Sequence, residues 1–169
     1  MIKIEGFNTR DVSYILAHCR ALDREEIWCQ FQPGVSNDYV TAWVMQSAEG
    51  FIARFRGLPV AAFGLSRTTF QCAHAWAFGS DRMRYAVPAI SRFFITALGA
   101  AAVKSGIKSV EARSLASHHE AHVWMFKLGA RCIARLPDYG TGGQDFLLFR
   151  WTVEDFQRIS RSGQRRFTL

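Results

Sequence analysis

Residues Ser117–Ala130 read SHHEAHVWMFKLGA, and this stretch decides the fold. Ala121, Met125 and Leu128 recur at helical spacing, so they form one inward stripe, while His118 and Glu120 belong to the more exposed side. Ser117 is placed to cap the first turn. Gly129 supplies a helix stop, after which Cys132–Leu136 is an apolar strand.

Working outward, the longest helix is predicted from about Pro88 to Lys104. Ile90, Phe93, Phe94, Ala97, Leu98 and Ala101 give it an apolar stripe, and Pro88 suits a first turn. Gly106 ends it, Ser109–Arg113 follows as a strand, and Asp145–Trp151 as the last. A short helix is expected from Thr152 or Val153 to about Ile159. On the N-terminal side, FIARF and VAAFGL flank the turn Arg56-Gly57-Leu58-Pro59 and predict a hairpin. Phe70–Phe78 alternates Cys72, His74, Trp76 and Phe78 against three alanines, as a strand with its large residues on one face does. Met1–Glu5 predicts a short strand. A helix through about Leu22, capped by Asn8 or Thr9, and another over Tyr39–Ala48, capped by Ser36 or Asn37, complete the order.

This order predicts an α/β fold with a mixed, mostly antiparallel twisted sheet flanked by helices. The length fits one domain, placed at residues 1–157, with 158–169 as a basic C-terminal tail. No internal repeat or linker divides the chain. No apolar run approaches the roughly 20 residues of a membrane span, and the charged N-terminus argues against an export signal. Cys19, Cys29, Cys72 and Cys132 lack metal-site spacing and are read as reduced thiols of a cytosolic product.

The net charge of +7 favours acidic partners. Arg158, Arg161, Arg165 and Arg166 concentrate in a tail with no acid. With Phe167 they form a candidate arm for a partner protein or DNA, against the plainer reading of a solvated terminus. His118 and His122 share a helix face, but His-His-Glu-Ala-His is not the HExxH of a zinc protease, and no metal is expected. His74 is the only titratable residue on its strand. It and Glu111, on the following core strand, are the candidates for a general base.

The closing half of the chain resembles the GNAT (GCN5-related) N-acetyltransferases. In that family the Ser117 helix usually starts with Asn, has Ala three residues on, and carries Tyr four residues before the closing Gly. Ala121 and Gly129 match, whereas His118 and Met125 replace the Asn and the Tyr. The Tyr commonly protonates the departing coenzyme A thiolate, and a thioether has no proton to give. The family also holds coenzyme A diphosphate on a glycine-rich loop at the start of the long helix. Here that loop is degenerate, with Arg84, Val87, Ala89, Ile90 and Ser91 at its positions and Pro88 removing a donor. The stretch from Gly79 to Ala130 is most similar to small GNAT-like internal virion or head-assembly proteins of short-tailed bacteriophages. That resemblance implies a non-catalytic assembly component of the virion, made in the bacterial host cytoplasm, with no cofactor. Its partners would be portal, tail or internal proteins and packaged DNA. The alternative it implies is an acetyl-CoA-dependent N-acetyltransferase with an atypical cofactor loop.

Overall fold

The computed structural model describes residues 1–166. The chain runs β1 (Ile2–Gly6), α1 (Thr9–Ala17), α2 (Ala21–Trp28), α3 (Asn37–Val44), β2 (Glu49–Phe55), β3 (Leu58–Arg67) and β4 (Cys72–Gly79). A 3-10 turn, Asp81–Tyr85, leads into α4 (Val87–Phe93), a π segment (Phe94–Leu98) and α5 (Gly99–Lys104). Then follow β5 (Ser109–Leu115), α6 (His119–Lys127), β6 (Arg131–Leu136), β7 (Phe146–Thr152) and α7 (Val153–Arg166). The seven strands form one sheet in the order β1-β2-β3-β4-β5-β7-β6, antiparallel everywhere except between β4 and β5.

Period-two alternation sends side chains to two cores. Ala53, Phe63, Ala73, Val110, Phe149 and Trp151 pack against Ile90, Phe94 and Leu98 of the long helix and against Met125, Leu128 and Phe156. On the other face Ile52, Ala62 and Phe78 meet Val12, Ile15 and Leu16 of α1 and Val40 and Val44 of α3. Val87–Lys104 is apolar and long enough to cross a membrane by composition alone. Here its buried stripe instead lies on the sheet as a core helix.

The hairpin, the central strand and the long helix lie where the pattern predicts them. At the end of α6, Ala130 N–H donates to Met125 O at 3.0 Å and Gly129 N–H to Phe126 O at 2.9 Å. Gly129 has φ +83°, so this is the Schellman geometry that an L side chain resists.

Other expectations need correction. The first helix stops at Ala17, and a separate helix, α2, occupies Ala21–Trp28. α3 is capped by Ser36, whose hydroxyl accepts from Tyr39 N, but it ends at Val44, well before Gly50. α6 begins at His119 with no side-chain cap, so Ser117 does not serve as one. The last helix, expected to end at about Ile159, continues to Arg166.

Candidate active site at the split of the sheet

β4 and β5 pair over only three positions, Cys72↔Ser109, Ala73↔Val110 and His74↔Glu111. Beyond them β4 continues to Gly79 along β3, and β5 continues to Leu115 along β7. The sheet therefore opens as a V. The gap is part of a cavity of about 510 Å³, lined by Phe94, Trp124 and Met125 on one face and by Glu26, Phe31 and Trp43 on the other. Both strands lend it residues that a closed sheet would bury against each other.

His74 and Trp76 line this cavity. His74 Nδ1 and Trp76 Nε1 are buried with no hydrogen-bond partner, a costly arrangement unless a ligand or water completes it. Burial, aided by the Arg113 charge and opposed by Glu111 and Glu26, lowers the His74 pKa to about 4. The imidazole is thus neutral at pH 7 and keeps a free lone pair. Glu111, the second base candidate, is committed elsewhere: Arg150 Nε donates to its Oε1 at 2.9 Å, and Nη2 completes the ion pair. Of the two, the structure puts only His74 on the cavity.

α2 holds the wide end of the V open. Asp23 Oδ2 accepts from Gly79 N–H, at the end of β4, at 2.7 Å. One turn on, Glu26 Oε2 accepts from Leu115 N–H at 2.7 Å and Ser114 Oγ at 2.9 Å, at the end of β5. His118 sits between the acids, its Nδ1 3.2 Å from Glu26 and its Nε2 3.7 Å from Asp23. It is 3% exposed, whereas the sequence pattern puts it outward. Burial pulls its pKa down, but the Glu26 hydrogen bond and the charges of Glu26 and Asp23 outweigh that and raise it. Burial likewise raises Asp23 against the pull of Arg20, whose Nη2 lies 2.8 Å away. Sequence reasoning missed this network. Its only signal was a pair of acids three apart in a stretch taken for the end of a helix and a loop.

Met125 is buried, as is Leu128; Ala121 packs against the core from a partly buried position, and Glu120 is exposed. Met125 also lines the cavity.

Ahead of the long helix, part of the backbone donor set is already engaged. Met83 N–H donates to Ser80 O and Ala86 N–H to Met83 O, so the 3-10 turn consumes donors a phosphate would use. Ile90 is buried. Ser91 Oγ donates to Val87 O and accepts from Trp124 Nε1, so it too is engaged. Val87 and Ala89 are partly buried. Arg84 reaches Tyr85 Oη at 3.0 Å. Arg82 and Arg84 are exposed in the turn that precedes this helix.

Of the basic C-terminal residues, Arg158 pairs with Asp155 at 2.7 Å and Arg161 is exposed. Arg165 and Arg166 are helical in backbone, and Phe167 lies outside the described residues. Among the described residues no group of three or more His, Cys, Asp or Glu is arranged to hold a metal.

Solved structures share this fold. An N-acetyltransferase from Staphylococcus aureus Mu50 superposes with a TM-score of 0.68 at 17% identity, covering 90% of this chain and 99% of that one. The ribosomal-protein-S18-alanine N-acetyltransferase from Escherichia coli gives 0.64 at 18% identity, covering 90% and 94%. yncA of Salmonella typhimurium, solved with its cofactor acetyl-CoA, gives 0.66 at 14% identity, covering 90% and 94%. The fold is the GNAT N-acetyltransferase fold. At these identities the likeness is one of architecture. No protein-family model and no curated protein matches the sequence.

Proposed function

We propose that this chain is an acetyl-CoA-dependent N-acetyltransferase with an atypical cofactor loop. The observation that carries the reading is the split of the sheet into a cavity that holds a buried, neutral His74. An acyl-pantetheine arm is long, narrow and rich in amides. It fits a gap walled by strand backbone that has left its ladder at Ala75–Phe78, much as a peptide adds to a sheet edge. The diphosphate fits less well, because Pro88 and the 3-10 turn withhold the donors, leaving Arg82 and Arg84 to meet it by charge alone.

When bound, acetyl-CoA supplies an activated acetyl thioester. The chain's own residues do the rest. The cavity walls hold the reacting groups together, and His74 accepts the proton that the amine loses as its nitrogen bonds the acetyl carbon and the carbon–sulfur bond breaks. The departing thiolate takes its proton from solvent, since Met125 has none to offer.

Calorimetry tests this directly. Acetyl-CoA should bind at sub-millimolar concentration, and S-acetylpantetheine, which lacks the nucleotide, should lose less than about tenfold (1.4 kcal/mol) in affinity. No heat with either compound up to millimolar concentration would remove the proposal.

Met125 favours a second reading. A thioether on the cavity at the position where the resemblance expects a phenol suits a protein that kept the fold and lost turnover, as expected of an assembly component of a short-tailed phage virion. Met125→Tyr separates the two. Under the first reading it places a phenol on the cavity and raises acetyl transfer by about a hundredfold, the lower end of what a positioned acid contributes. If neither wild type nor variant releases thiol with any amine, the non-catalytic reading stands.

A further inference from the structure

On the α1–α3 face of the cavity, the polar groups without partners are mostly donors. Alternation along β4 and β5, continued two residues past His74↔Glu111, sets Trp76 and Arg113 opposite each other across the split, on the same face as His74. Both line the cavity. The Trp76 indole N–H is buried and unpaired. The half-buried Arg113 guanidinium lies over the Tyr139 ring at 5.8 Å, and among the described residues no carboxylate pairs with it. Neither group accepts hydrogen bonds. The carboxylate closest at hand along the wall, Glu26, already accepts through Oε2 from Leu115 N–H, Ser114 Oγ and His118. That oxygen is therefore occupied.

We infer that the acceptor amine carries a carboxylate, held between Arg113 and the Trp76 indole, and an apolar side chain. The proposal rests on the acetyl-transfer reading and names the substrate class for it: a free apolar or aromatic amino acid. The side chain meets Phe31 and Trp43, whose rings pack edge to face at 5.3 Å at the cavity wall. The amine then faces His74, whose neutral imidazole has a lone pair to offer. A polyamine would bring a second cation toward Arg113, and a peptide N-terminus would lack the carboxylate.

The test uses phenylalanine, phenylalaninamide and phenethylamine as probes with the full-length protein. Thiol release in the presence of acetyl-CoA and calorimetric binding of each probe are measured in parallel. Phenylalanine should be preferred by about tenfold or more over both others, the scale of a charge-assisted hydrogen bond. Arg113→Met and Trp76→Phe should each reduce that preference while melting within a few degrees of wild type. Equal binding or turnover of the three probes overturns the inference, as does binding of none. A carboxylate preference in binding without thiol release upholds the carboxylate site and refutes the transfer reading alone.

Discussion

Asp23→Ala is expected to destabilise the protein by about 3–5 kcal/mol, the cost of removing one partner of a buried ion pair. Asp23 is 3% exposed. It accepts from Gly79 N–H and binds Arg20 through both oxygens, with His118 behind it. Truncation leaves a strand-end N–H, a guanidinium and an imidazole facing a hole. Asp23→Asn keeps an acceptor for Gly79 and should cost less, about 1–2 kcal/mol. Urea unfolding of both variants measures the difference. Equal, small effects would show that α2 does not tie the end of β4. The consequence reaches the site, because Asp23 and Glu26 hold the two strand ends at the separation that keeps the cavity open.

Gly64→Ala should be more damaging still, at about 4 kcal/mol or above. Gly64 on β3 stands between Gly50 of β2 and Trp76 of β4 in register. A Cβ there would lie 2.1 Å from Glu49 O, 2.9 Å from Gly50 Cα and 2.7 Å from Trp76 Cζ2. The first two contacts are backbone and cannot rotate away, so a central strand must shift. Trp76 is also a wall of the cavity, so any folded fraction should lose acetyl-CoA heat as well. A variant that unfolds within about 1 kcal/mol of wild type would contradict this account of the packing.

The order of elements was legible because it follows from local period and punctuation. The apolar stripe of Val87–Lys104, the alternation of Cys72–Gly79 and the stop at Gly129 each arise within one or two turns of chain. Met125 within the inward stripe and Pro88 in the first turn of α4 were legible in the same way, since each lies within one segment. α2 was not. Ala21–Trp28 has no side-chain cap and only a weak apolar face, and what holds its Asp23 and Glu26 comes from Gly79, Ser114, Leu115 and His118.

The sequence alone determined the α/β architecture, the inward stripe of Met125 and Leu128, and the presence of His74 on a strand with no acid. Tertiary structure decided which candidate base faces the cavity, by pairing Glu111 with Arg150 and leaving His74 unpaired. It also turned His118 inward and opened the sheet. The physical reason is the same in each case. A side chain's period along its own helix or strand depends on near neighbours, whereas the burial of a charge depends on the partner that neutralises it. For His118 that partner, Glu26, is 92 residues away along the chain.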